Sequence, residues 1–164
     1  MSALEDMCPQ CPFSYTLGRT EIVPRLRADA RAFLDEFGRV EAKTVRTRPE
    51  PDVWSPLEYA CHLRDVLRVQ AERVLLAQHE DEPAFAPMRR DERAVEDRYN
   101  EQDLATVATE LAQAADAFAS LLDGLDEAGW MRTGIYNYPQ PTVRTVEWIA
   151  IHTDHELVHH RGDI

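Results

Sequence analysis

No run in this sequence approaches the ~20 consecutive apolar residues that a membrane span requires, which excludes a transmembrane helix. Positive charge is scarce: 18 Lys and Arg stand against 30 Asp and Glu, a formal charge of -12, and Lys43 is the only lysine. Such a surface repels phosphate backbones and anionic headgroups, which argues against nucleic acid and membranes as partners. Cysteine is scarce too. Cys8, Cys11 and Cys61 are too few and too unevenly placed for a disulfide framework. The amino terminus, "MSALEDMCPQCPFSY", has neither the basic nor the apolar region of a secretory signal, so the expected home is the cytoplasm.

What remains is an ordinary globular composition, 44% hydrophobic and 29% charged, over a length of 164 residues that suits one domain spanning 1–164. Residues 1–19 read as an arm carrying a C-x-x-C pair. Thr20 is placed to cap a first helix, with Ile22, Leu26, Phe33 and Phe37 on one stripe, Pro24 in its first turn and Gly38 as its stop. "VEAKTVRTRPEPDVW" reads as a connection. In "SPLE", Ser55 caps a second helix, Pro56 takes the first helical position and Glu58 completes a capping box. On that helix His62 shares an arc with Tyr59, Leu63, Val66 and Val69, which points it toward the core.

The charged, proline-bearing stretch from Glu80 to Asn100 reads as a long crossover with a short helical turn, placed to cover one end of a bundle. A third helix follows from about Gln102, with Leu104, Val107, Leu111, Ala115, Phe118 and Leu122 at helical spacing and Gly124 as its end. "WMRTGIYNYPQP" reads as a loop, Thr142 as the cap of a fourth helix, and Gly162 as its stop; no strand pair is expected. The fold class is therefore all-α, a four-helix bundle with a long crossover connection.

Four of the six histidines fall in the last helix, at positions 152, 155, 159 and 160. His155 and His159 are four residues apart and stack on one face, about 6 Å apart along the axis. Trp148, Ile151 and His152 lie within ~60° of His155, so that face is the one to be buried, and His160 falls outside it. Buried imidazoles without partners are costly, and a cation removes the cost. With His62 they make three neutral nitrogen ligands and leave one position open, the usual set for a catalytic zinc or similar divalent ion. The bland alternative is an accidental spacing, with core histidines satisfied by carboxylates.

"WSPLEYACHLRDV" and "HTDHELVHHRGDI", with "RYNEQD" and "GIYNYPQP" between them, resemble the DinB-like (DinB/YfiT) superfamily of four-helix-bundle metalloproteins. That superfamily includes mycothiol- and bacillithiol-dependent S-transferases and maleylpyruvate isomerase. The resemblance runs from the second helix to the carboxy end. It implies a metal held by His62, His155 and His159, with a low-molecular-weight thiol as cosubstrate and a small electrophile as substrate. Zinc is the first choice of ion, with nickel, iron or manganese as alternatives. The "CPQC" arm is no part of the family's metal motif.

An ion held by three imidazoles keeps its full +2 charge. Bound water then ionises near neutral pH, and a thiol, with an ordinary pKa of ~8.5, binds as thiolate still more readily. The resemblance favours the thiol. The rivals are metal-assisted hydrolysis and a noncatalytic bundle whose ion is structural or sensory, pairing through its helix faces as a homodimer. Arg161 is placed to meet a carboxylate on thiol or substrate, or else to sit as a solvated charge at the helix end. Tyr136, Asn137 and Tyr138 are candidates to line the opening, with core or turn roles as the alternative.

Asp65, one turn from His62, is a candidate outer-shell partner or proton acceptor, with an exposed helix carboxylate as the commoner alternative. Glu156 is rotated ~100° from His155, which turns it away from ligation and base chemistry. Cys8 and Cys11 fit a redox dithiol, half of a zinc knuckle or incidental thiols; Cys61, His79 or His160 would complete a knuckle only if the fold brings them close. Cys61 is itself rotated ~100° from His62 and reads as packing.

Overall fold

The computed structural model describes residues 7–164, so the first part of the arm, on which the reading of the amino terminus rests, lies outside the described residues. Four long helices form the bundle: α1 (Arg19–Phe37), α2 (Pro56–His79), α4 (Leu104–Asp123) and α6 (Val146–Arg161). Between them lie α3 (Arg90–Glu96), a 3-10 turn (Tyr99–Glu101), α5 (Glu127–Met131) and the strands β1 (Thr133–Tyr136) and β2 (Thr142–Thr145). Each of α1 and α2 packs against both α4 and α6. The connection from α1 to α2 therefore crosses a diagonal, as does that from α4 to α6. No helix among the described residues is long and apolar enough to cross a membrane.

The helix boundaries follow local chemistry. Ser55 Oγ accepts from the Glu58 N–H, while Glu58 Oε2 accepts from the Ser55 N–H at 2.8 Å. Arg48 then clamps the Glu58 carboxylate with Nε at 2.9 Å and Nη2 at 2.6 Å. The start of α2 is thus satisfied on both sides. Asp103 caps α4 by accepting from the Thr106 N–H, and Gly124 and Gly162 close α4 and α6. Helix α1 begins earlier than its sequence suggests: Gly18 is the cap and Glu21 accepts from its N–H. Pro24 therefore sits inside the helix, beyond the first turn, and burial of Ile22, Val23 and Leu26 around it holds the helix together.

The segment read as a loop is instead a short helix followed by a hairpin, in which Thr133 pairs with Thr145 and Tyr136 with Thr142. Thr142 begins β2, and Thr145 is the residue that caps α6, accepting from the Trp148 N–H. The hairpin also binds the crossover. Phe85 N–H donates to Ile135 O, and Ile135 N–H donates to Pro83 O at 2.8 Å. These bonds bring Met88–Asp91 of the crossover and Tyr136 of β1 over the space between α2 and α6.

The arm is anchored from its far end. Cys8 N–H donates to Phe13 O at 3.0 Å, Met7 bridges Ser14, and the fully buried Phe13 ring joins the core.

Candidate metal centre

Helix α6 is buried on nearly every side, because α1 and α2 flank it and the arm lies along it. One consequence overturns the expectation for His160. It is 7% exposed and faces α2, its ring 5.1 Å from that of His62. His62 is buried as expected.

Between these rings lies Glu156. Its Oε2 is 3.6 Å from His62 Nε2 and 3.5 Å from His160 Nε2. Its Oε1 is 3.6 Å from His155 Nδ1 and 3.8 Å from His152 Nε2. Good hydrogen bonds span about 2.7–3.2 Å, so these separations are too wide for them. The two Oε2 separations lie near the ~3.3 Å edge of a tetrahedron built on bonds of about 2.0–2.1 Å to a zinc-like ion. His62 Nδ1 is buried and has no hydrogen-bond partner. The donor set His62, Glu156 and His160 therefore fits a divalent ion.

Electrostatics agrees. Burial alone would raise the Glu156 carboxyl, but the imidazoles of His155, His160 and His62 outweigh it and hold the group well below its ordinary value. Glu156 is thus an anion. Burial lowers His62, and it lowers His152 to about 4, so both rings are neutral ligands or acceptors near neutral pH. His160 behaves differently: burial pulls it down, yet Asp163 and Glu156 push it above its ordinary value. Its Nδ1 lies 2.7 Å from Asp163 Oδ2. A carboxylate partner on the far nitrogen is the usual support of a metal-binding imidazole.

The three imidazoles expected to converge are divided among several groups. His62 lies with Glu156 and His160; His155 lies both with His152 and Glu156 and, together with His159, with Cys8 and Cys11; and His159 lies also with His160 and Asp163, each group having its ligand atoms within 4.8 Å of one another. Glu156 and His160 lay outside the one helical face on which the sequence reading rested. The signal was present as E-x-x-x-H, the same one-turn spacing as His155 and His159. Asp163 follows one turn later, past the Gly162 cap.

Other candidates are relocated. Arg161 turns to α1, 3.7 Å from Asp29, and is not part of the cavity wall. Asp65 accepts from Tyr99 OH at 2.6 Å and pairs with Arg64, away from His62. Cys61 is buried, its thiol directed at Tyr99 O and Gln102 Oε1. Tyr136 and Tyr138 do line the cavity, the first buried and the second exposed.

That cavity has a volume of about 510 Å³ and opens beside Glu156, with Val66, Val69 and Met88 on its apolar wall. Tyr136 OH accepts from Gln70 Nε2 at 3.0 Å. Arg73 stacks 4.8 Å over the Tyr136 ring and donates to Gln70 Oε1 and Ala86 O, both neutral. Its Nε is buried without a hydrogen-bond partner. A guanidinium held by neutral acceptors at a cavity wall, in so acidic a chain, suits an anionic ligand.

The sequence model of the DinB superfamily matches residues 25–164. Among curated proteins, none matches the sequence significantly. Among solved structures, YfiT from Bacillus subtilis, described as "a probable metal-dependent hydrolase with an unusual four-helix bundle topology", superimposes with a TM-score of 0.79 at 14% identity over 92% of this chain and 90% of its own. A mycothiol-dependent maleylpyruvate isomerase superimposes with a TM-score of 0.76 at 12% identity over 91% of this chain. A histidine-to-alanine variant of that isomerase gives 0.75 at 11% identity. This chain spans 61% of the isomerase, which is longer.

Proposed function

This chain belongs to the DinB superfamily, and on that premise we propose that it is a divalent-metal-dependent enzyme that adds or transfers a low-molecular-weight thiol to a small anionic electrophile. The observation that carries this reading is the ring of imidazoles about Glu156, with His62 Nε2 and His160 Nε2 both within 3.6 Å of one carboxylate oxygen. His62, Glu156 and His160 would hold the ion, zinc first and nickel, iron or manganese as alternatives. Such an ion supplies Lewis acidity, which makes a thiol or water at a fourth position strongly acidic.

The chain's own residues do the rest. Asp163 holds the His160 ring with Nε2 presented inward. Tyr15 OH, 3.0 Å from His152 Nδ1, fixes the ring at the cavity's inner wall. Arg73, on the same face of α2 as His62 and about three turns further along, offers its charge to a carboxylate of the electrophile. Tyr136 and the crossover around Met88 screen the reacting end of the cavity from bulk water.

A second reading, metal-assisted hydrolysis, is favoured by the near full-length superposition on YfiT. Thiol dependence separates the two. Metal-loaded protein is assayed against carboxylate-bearing electrophiles with and without mycothiol or bacillithiol, beside metal-free protein and Glu156→Gln. Turnover that needs thiol, metal and Glu156 together supports the transferase. Turnover without thiol supports the hydrolase, and a metal-loaded protein inert across the whole panel removes catalysis altogether.

A further inference from the structure

The arm's two cysteines and the two α6 histidines left out of the open site lie together. Cys8, Cys11, His155 and His159 each offer a ligand atom, and all four atoms lie within 4.8 Å of one another. We propose that they form a second, closed Cys2His2 zinc site that fastens the amino-terminal arm to the last turns of α6.

Several features build it. The loop holding both thiols is closed by the Cys8 N–H to Phe13 O bond and by the Met7–Ser14 bridge. Gln10 N–H points at Cys8 Sγ, at 3.4 Å, a donor that favours thiolate. Fully buried Phe13 meets the His155 ring edge-on at 5.3 Å, which sets the loop's position over the helix. Cys8 Sγ is 4.0 Å from His159 Nδ1, close to the ~3.6 Å edge expected when sulfur at about 2.3 Å and nitrogen at about 2.0–2.1 Å share a tetrahedral ion.

His155 supplies the second independent sign. Both of its ring nitrogens are buried and neither has a hydrogen-bond partner. With Nδ1 turned to Glu156 at 3.6 Å, Nε2 is the nitrogen left for the sulfurs. A buried imidazole without a partner is costly, and an ion at Nε2 removes that cost. Four protein ligands leave no position for substrate, so this site is structural. Its ligands Cys8 and Cys11 precede residue 25, where the family match begins, so half of the donor set belongs to this chain's own arm.

The site also shapes the cavity. Cys8 and Gln10 lie in its wall, and Tyr15, a few residues on, bonds His152. Fastening the arm therefore completes one side of the enclosure.

The test compares wild type, Cys8→Ser with Cys11→Ser, and Glu156→Gln, each loaded with zinc or with cobalt(II). Wild type is expected to hold two ions per chain and to show a thiolate-to-cobalt charge-transfer band. The double serine variant loses one ion and the band, whereas Glu156→Gln loses the other ion and keeps the band. In the zinc-loaded wild type, Cys8 and Cys11 resist alkylation until a chelator is added. Absence of the band in wild type, unchanged stoichiometry in the double variant, or ready alkylation of zinc-loaded protein each overturns the site. Two ions retained by Glu156→Gln would instead count against the open site alone.

Discussion

His160 Nδ1 donates a 2.7 Å hydrogen bond to Asp163 Oδ2, three residues along the chain. The imidazole holds the Asp163 carboxyl below its ordinary range, so the carboxylate can only accept, and the proton belongs to Nδ1. In the neutral ring Nε2 then keeps its lone pair as the ligand atom, directed at Glu156 and His62. Replacing Asp163 by Asn is expected to weaken metal binding about 10–100-fold with helical content unchanged. Competition with a chelator of known affinity measures it, and an unaltered Kd would remove Asp163 from the site.

Arg73 predicts a different signature. Arg73→Met should leave metal content at the wild-type level and raise KM for a carboxylate-bearing electrophile ~10-fold or more, the scale of one charge-assisted hydrogen bond. A neutral electrophile should be unaffected. Equal losses for charged and neutral substrates would assign Arg73 to packing against Tyr136.

Gly134 tests the hairpin. A Cβ there would lie 2.1 Å from Phe85 Cζ, and Phe85 is itself held by backbone bonds to β1. Gly134→Ala is therefore expected to cost ~1–3 kcal/mol through overpacking. At about 2–4 °C per kcal/mol for a chain of this size, thermal unfolding resolves it. An unchanged Tm would mean that Phe85 moves freely.

Glu58 gives the pH dependence. Burial alone would raise its carboxyl, but Arg48 and the Ser55 N–H outweigh it and hold the group below its ordinary value of 4.5. A depressed folded-state pKa contributes stability above pH 4.5 that fades as pH falls through the lower, folded value. Glu58→Gln, which can keep the capping box, should thus destabilise the protein by ~1–2 kcal/mol at pH 7 through loss of the ion pair with Arg48. In denaturant titrations, the gap to wild type should close in acid; a constant gap would contradict the linkage.

The bundle was legible because its boundaries are written in local chemistry. Ser55, Pro56 and Glu58 place the start of α2 unaided, and Gly124 and Gly162 end their helices where the sequence puts them. The hairpin was not legible. Its strands have four residues each, too short for an alternation to register, and their partners include the crossover. The proposed site was half legible for a related reason. Projecting α6 onto one buried face is sound for a helix with one neighbour on one side, but α1, α2 and the arm enclose this one. Burial then extends to Asp154, His155, Leu157 and His160, and the direction of a side chain no longer tells which partner it meets. His62 lies where α2 is buried on every side, from Ala60 to Leu67, so its inward placement did not depend on which stripe was chosen.

X-ray diffraction from zinc-loaded crystals, recorded on both sides of the zinc absorption edge, tests the open site most directly. The account predicts an anomalous peak within about 2.0–2.2 Å of His62 Nε2, a Glu156 carboxylate oxygen and His160 Nε2. No peak among those three atoms, or one shared instead by His62, His155 and His159, would contradict it.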